Sequence, residues 1–267
     1  MSLDLFDKRA LLFLPASNAR AIAKARSSDA DLVILDLEDA VKPEDKDSAR
    51  AAAVAAAAEA WPMPVAIRIN GGLSDFYSAD LAAVAISRAD LLIVPRVSDE
   101  REIDAVASVT SIPVAAMIET AAGVLAAPAV ARVAVALIAG TNDLSADLKL
   151  PPGAGRAPLS AALQMIMIAA RAAGIAAFDG VFNRLDDEAG LAAECAESRN
   201  LGFDGKSLIH PSQIAACHAA FAPTADEIAR AERLVAAASG GAERFEGAMV
   251  EAMHVGAARR MLDRSRR

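Results

Sequence analysis

Apolar residues recur along this chain in short runs that end abruptly on polar side chains. The runs densest in Val, Ile and Leu are Ala10–Ala16 (ALLFLPA), Leu32–Glu38 (LVILDLE), Pro64–Asn70 (PVAIRIN), Leu91–Val97 (LLIVPRV), Pro113–Glu119 (PVAAMIE), Val135–Thr141 (VALIAGT), Ile175–Val181 (IAAFDGV) and Gly205–Ile209 (GKSLI). Between most of them lie alanine-rich stretches with helical spacing, such as Asn18–Ser27 and Ser160–Ala173. Near-continuous apolar strands alternating with helices predict a parallel sheet covered on both faces. Eight such units predict an α/β fold of the closed (β/α)8, or TIM, barrel type, with a doubly wound open sheet as the alternative.

The tail has a different pattern. FAPTADEIARAERLVAAASGG opens on Thr224 with Glu227 three residues on, a capping box that starts a helix. Two helices split at Gly240–Gly241 are expected. The predicted organisation is a barrel domain over 1–222 and a C-terminal helical extension, or lid, over 223–267. No repeat of solenoid period is present.

Composition narrows the function classes. A length of 267 residues suits one α/β barrel, and the 55% hydrophobic content, much of it alanine, suits helices packed on β-branched strands. Only 4% of residues are aromatic, which argues against base-stacking platforms. The 27 basic and 35 acidic residues give a net charge of -8, so no nucleic-acid partner is expected and an anionic substrate needs a local basic pocket. Cys195 and Cys217 stand in no CxxC or Cys/His pattern, which disfavours zinc sites and disulfide frameworks and fits a reducing cytoplasm. Acids ahead of the first apolar run do not read as a signal peptide, and no uncharged apolar stretch is long enough to suggest a membrane span.

Barrel chemistry sits at the C-terminal ends of strands. There the runs place Ser17 and Asn18, Glu38 and Asp39, Arg68 and Asn70, Arg96, Glu119 and Thr120, Asn142 and Asp143, Asp179, and Lys206 and His210. Carboxylates without His or Cys partners prefer hard cations, and magnesium takes one or two carboxylates while keeping positions for water and substrate oxygens. Glu119 and Asp143 end adjacent predicted strands and outline such a site, with buried ion pairs to arginines as the alternative. Arg68 offers a planar fork of donors suited to a carboxylate or an enolate oxygen; its bland role is an ion pair with Glu38 or Asp39. Lys206 invites a Schiff-base reading and His210 a catalytic one, though neither carries a supporting motif. Phosphate-binding glycine loops are absent.

Taken in order, LLFLPASNARAIAKA, ADLVILDLEDAVKPEDKDSAR, VAIRING, LIVPRV, MIETAAGVL, AGTNDLSADL and LGFDGKSLIHPSQI…FAPT resemble the citrate lyase β-subunit-like family of the HpcH/HpaI aldolase group across nearly the whole chain. That resemblance implies a TIM barrel, a trimer or hexamer, and Mg²⁺-dependent cleavage or formation of a C–C bond between an acyl thioester and a 2-keto acid. It implies Glu119 and Asp143 as metal ligands, with Glu119 also beside the substrate. It implies Arg68 as the substrate-binding and catalytic arginine, and the acidic pair Glu38 and Asp39 near the metal and its waters. Asp36 and Glu44 are expected to be structural or solvated. There are two departures from the family pattern: Asn142 stands where many relatives have Glu, and in the tail Glu251 and Met253 stand where acyl-CoA lyases have Asp and Pro. Glu251 is therefore the expected acid/base, acting from a neighbouring subunit, with a solvated helix acid as its alternative. Arg20, Lys24, Lys46 and Arg50 could meet the phosphates of CoA or solvate helix faces. The competing functions are a stand-alone lyase for citryl-CoA, citramalyl-CoA or malyl-CoA, a citrate lyase β subunit working on a carrier-protein thioester, a thioesterase, and a non-catalytic thioester-binding barrel.

Overall fold

The computed structural model describes residues 3–265. The chain divides into two compact units between His218 and Ala219.

The first unit is a closed barrel of eight parallel strands in sequential order. These are β1 (Ala10–Pro15), β2 (Leu32–Asp36), β3 (Val65–Arg68), β4 (Leu91–Val94), β5 (Val114–Ile118), β6 (Ala136–Ala139), β7 (Ala176–Asp179) and β8 (Gly205–Leu208). Each lies inside its expected run, and most of those runs overshoot at the C-terminal end, where the chain leaves the sheet to build the mouth. Helices alternate with the strands: α1 (Ala19–Ala25), α2 (Lys46–Ala57), α3 (Tyr77–Ala85), α4 (Glu100–Ala107), α5 (Ala121–Val130), α6 (Thr141–Asp147), α7 (Ser160–Ala173), α8 (Glu188–Leu201) and α9 (Ile214–Phe221). The short α6 is an addition between β6 and β7.

Strand alternation decides what faces the barrel axis. Leu11 and Phe13, Leu32 and Ile34, Leu91 and Ile93, Ile138 and Phe178 fill the interior, with Ala66, Ala115, Ala136 and Ala176 between the larger side chains. The same parity carries Asp36, Arg68 and Glu119 to the upper rim of the interior, because each lies two residues beyond an interior position. Gly205 closes the ring: a Cβ there would collide with the Lys8 and Arg9 carbonyls beside β1.

Opposite parity sends other polar residues outward, beneath the helices. Lys206 is fully buried, with Nζ 2.7 Å from Asp179 Oδ2 and 2.6 Å from Glu194 Oε1 of α8. Arg156 adds a second cation 2.9 Å from Asp179 Oδ1, and the Ser198 hydroxyl donates to Oδ2. Burial opposes its charge, yet Lys206 and Arg156 hold the Asp179 carboxyl below the usual carboxylate range. On the other side of the barrel, Lys46 Nζ donates to the Leu37 and Glu38 carbonyls (2.6 Å each) and to Asn70 Oδ1 (2.7 Å). Asn70 also binds Asp80, as does Arg50.

The second unit holds α10 (Ala225–Ala237), a hairpin of β9 (Glu243–Phe245) and β10 (Ala248–Val250), and α11 (Ala252–Ser265). The capping box at Thr224 and Glu227 forms as expected. The expectation of two helices alone is corrected by the hairpin, whose strands are three residues each and too short to show a period. Its turn residues Glu246 (φ 50°) and Gly247 (φ 85°) both take positive φ, the requirement of a two-residue type I′ turn. Ala231, Leu234, Val250, Ala258 and Leu262 form a core of its own.

Candidate active site

The β2 end is shaped by one side chain. Asp36 accepts N–H bonds from Glu38 and Ala40 (3.0 Å each), turning the chain out of the sheet. It also takes Arg68 in a two-point grip, Nε to Oδ1 at 2.6 Å and Nη2 to Oδ2 at 2.7 Å. The two residues pair in register on neighbouring strands. A bidentate guanidinium–carboxylate contact fixes the plane of the fork. The Arg68 guanidinium also lies over the Phe13 ring, 4.9 Å from its centroid. Burial works against its charge, but Asp36 and Glu38 keep Arg68 more firmly protonated than an ordinary arginine.

Glu38 sits against the free edge of that fork, Oε2 2.9 Å from Nη1, while Asp39 is exposed and 4.0 Å away. Lys46 fastens the backbone that carries Glu38. Burial pushes the Glu38 carboxyl up to about 8; Arg68 opposes the shift, and Glu119, Asp39 and Asp36 add to it. Its Oε2 is buried and accepts no hydrogen bond.

Glu119 leaves β5 on the interior face. Its side chain lies across Gly140, where any Cβ would collide with it. Its Oε1 accepts the Arg96 N–H at 2.6 Å. Burial pushes its carboxyl up to about 7, with Arg68 and the Arg96 N–H pulling down and Asp143 pushing up. Asp143, in the first turn of α6, accepts from the Arg96 guanidinium at 2.8 Å. Asn142 forms a reciprocal amide pair with Asn183 (2.6 and 3.3 Å).

These groups surround a pocket of about 280 Å³ lined by Phe13, Asp36, Asp39, Arg68, Met117, Glu119, Asn142, Asp143, Val181, Asn183, Ser207 and Ile209, among others. The mouth thus brings together Arg68, Asp39, Glu119 and Asp143, with Glu38 beside Arg68. Several other strand-end residues do not join them: Asn70, Asp179 and Lys206 face the helices. A Schiff-base role for Lys206 is excluded by its burial among Asp179, Glu194 and the Gly180 carbonyl. Lys46 and Arg50 are tied into the Asn70–Asp80 network and are not free to meet phosphates. His210 caps the turn at Pro211–Gln213. Glu251 belongs to the second unit, exposed, its N–H on His254 Nδ1 at 3.0 Å. Asp36, expected to be structural or solvated, is structural: it is buried at the pocket wall and is the main partner of Arg68. Its position two residues past Ile34 was the available signal. Asn183, on the loop after β7, had none.

The residues fit a divalent cation. Among the described residues, Asp36, Glu38, Asp39, Glu119 and Asp143 are faced by two guanidinium groups, Arg68 and Arg96, and the buried Glu38 Oε2, though 2.9 Å from Arg68 Nη1, accepts no aligned hydrogen bond. Among the described residues no three His, Cys, Asp or Glu side chains converge as a complete cage. Two carboxylates with room for water and a chelating substrate is how magnesium is held.

Known proteins resemble this chain over most of its length. Residues 9–211 match the model of the HpcH/HpaI aldolase/citrate lyase family, and 156–267 that of a C–C bond lyase of the TIM-barrel fold. A (3S)-malyl-CoA thioesterase of Cereibacter sphaeroides (strain KD131 / KCTC 12085) is 38% identical, over 95% of this chain and 93% of its own. The citrate lyase subunit beta of Haemophilus influenzae is 32% identical over 97% of each. The structure of CitE from Mycobacterium tuberculosis in complex with magnesium, acetoacetate and coenzyme A superposes with a TM-score of 0.89 at 33% identity, over 98% of this chain and 100% of that one. The chain belongs to the HpcH/HpaI aldolase/citrate lyase family.

Proposed function

We propose that this protein is a magnesium-dependent lyase that cleaves a 3-hydroxyacyl-CoA, such as citryl-CoA or malyl-CoA, to acetyl-CoA and a 2-keto acid. The observation that carries the reading is the barrel mouth itself: an arginine locked in plane by Asp36 faces Glu119 and Asp143 across a pocket large enough for a small hydroxy acid. Glu119 and Asp143 would hold the ion. When bound, it supplies Lewis-acid charge to the substrate's hydroxyl and adjacent carboxylate.

The chain's own residues carry the rest. Asp39 offers a carboxylate to accept the hydroxyl proton, and Glu38, whose own proton burial holds up to about pH 8, joins it once ionised. As the C–C bond breaks, its electron pair moves into the thioester carbonyl, and Arg68 faces the oxyanion of the resulting enolate. Because Asp36 has already fixed the guanidinium, little reorganisation accompanies that charge. Glu251 of a neighbouring subunit, in its protonated form, then gives a proton to the enolate carbon and is reprotonated from solvent as the barrel carboxylate releases the hydroxyl proton; that makes the working form a homo-oligomer, a trimer or hexamer, of the reducing cytoplasm.

A second reading is a thioesterase, favoured by the 38% identity to the malyl-CoA thioesterase. There water attacks the thioester carbonyl, releasing CoA and the intact hydroxy acid. A β-subunit role on a carrier-protein thioester is a third, supported by the citrate lyase relatives.

The test is a coupled assay with Mg²⁺ on citryl-CoA, (R)- and (S)-citramalyl-CoA and malyl-CoA. The expected result is keto acid and acetyl-CoA from one of them, abolished by EDTA and by Glu119→Ala. Free CoA with intact hydroxy acid moves the assignment to the thioesterase. Silence on all four, with turnover of a carrier-protein thioester, moves it to the β-subunit role.

A further inference from the structure

Arg96 follows Pro95 at the end of β4 with φ 54°, a left-handed backbone that side chains other than Gly, Asn and Asp seldom adopt. The turn has two geometric results. It aims the Arg96 N–H at Glu119 Oε1 (2.6 Å), and it leads the side chain to the mouth, where Nη1 donates to Asp143 Oδ1 (2.8 Å). One residue therefore grips one oxygen of each carboxylate, although Glu119 comes from β5 and Asp143 from α6. Among the described residues, no protein donor reaches the second oxygen of either, Glu119 Oε2 or Asp143 Oδ2. Glu119 is further confined by Gly140 behind it.

We propose that Arg96 is the positioning residue of the metal site: it fixes Glu119 by its main chain and Asp143 by its side chain, and so presents their remaining oxygens as a preformed pair for a divalent cation. The proposal rests on reading Glu119 and Asp143 as the metal ligands. Partners that orient ligating carboxylates typically contribute 10–100-fold in metal affinity. The main-chain half belongs to the turn and survives any residue that tolerates positive φ. The side-chain half needs a cation long enough to reach across from β4 to α6.

The two halves separate experimentally. Magnesium chloride is titrated calorimetrically into the full-length, metal-free protein. Arg96→Asn keeps the N–H and tolerates the left-handed turn, but deletes the guanidinium. It is expected to weaken Mg²⁺ binding about tenfold or more, with an unchanged unfolding midpoint in EDTA. Arg96→Lys is expected to recover part of the loss. If Arg96→Asn does not fold, Arg96→Gly, unstrained at this φ, takes its place. Wild-type or tighter Mg²⁺ affinity in the Asn or Gly variant overturns the proposal. Glu119→Ala separates the failures. If it binds Mg²⁺ as the wild type does, the metal pair itself is misassigned and both readings fall. If it loses binding while Arg96→Asn does not, only the role of Arg96 falls.

Discussion

Glu38 lies against a guanidinium and is still hard to ionise, because burial and three neighbouring carboxylates outweigh Arg68. This gives a pH dependence with a definite sign. The folded-state value, about 8, lies above the ordinary 4.5, so the folded protein binds this proton more tightly than the unfolded chain. The stabilisation it confers is complete below about pH 4.5 and is lost as the pH rises through 8. Glu119, at about 7, acts in the same direction. Glu38→Gln mimics the protonated side chain and cannot ionise. In EDTA its unfolding temperature should match the wild type near pH 5 and exceed it increasingly towards pH 8. The gain should be roughly 3 °C for each kcal/mol by which ionisation destabilises the wild type. Scanning calorimetry across that range checks it; a gap that does not widen with pH removes the account of Glu38 as a buried, undercompensated acid.

At the level of strands and helices, one parity rule sorts the polar residues into two classes. Ser207 faces the pocket and its neighbour Lys206 faces α8, where it completes a network with Asp179, Glu194 and Arg156. Removing one member of a buried charge set leaves the others uncompensated. Lys206→Met should therefore lower stability by about 3–5 kcal/mol in denaturant unfolding, and borohydride should trap no keto acid on the wild-type protein. Loss under 1 kcal/mol, or a trapped adduct, would contradict this placement. The same rule explains what was legible in the sequence. The strands could be read because each is a short apolar run that a doubly covered sheet requires. Arg68, Glu119 and Asp143 could be read because polar groups at strand ends stand out against such runs. Which side of the sheet a residue faced was written in the alternation, and Asp36, two past Ile34, is the instance where following it would have found the partner of Arg68. The Asn142–Asn183 pair and the hold of Arg96 on Asp143 join residues more than 40 positions apart. No local period encodes such contacts. The hairpin in the tail escaped because three-residue strands leave no pattern, although its Glu-Gly turn is a weak signal of one.

Across the whole molecule, the proposed reaction draws on residues of both units, which makes Glu251 its sharpest test. The barrel unit holds the arginine and the carboxylate pair. The second unit has its own small core, ending in the buried Val250, and Glu251 follows it into solvent at the start of α11. Its N–H is satisfied by His254, while its carboxylate has no protein partner among the described residues. An exposed, unpaired acid contributes little to stability, so its removal should be felt in catalysis alone. Glu251→Gln is expected to lower kcat by about 100-fold or more, the range of a general acid or base, leaving Mg²⁺ affinity and unfolding temperature at wild-type values. Glu251→Asp restores the shorter acid of the related lyases and should retain part of the rate. If the carboxylate works in a neighbouring subunit's pocket, hybrids reassembled from Glu251→Gln and Glu119→Ala chains should regain activity that neither has alone, since some pockets then combine an intact metal pair with an intact acid. Wild-type turnover by Glu251→Gln would make the residue a solvated helix acid and leave the proton transfer to the barrel's own carboxylates.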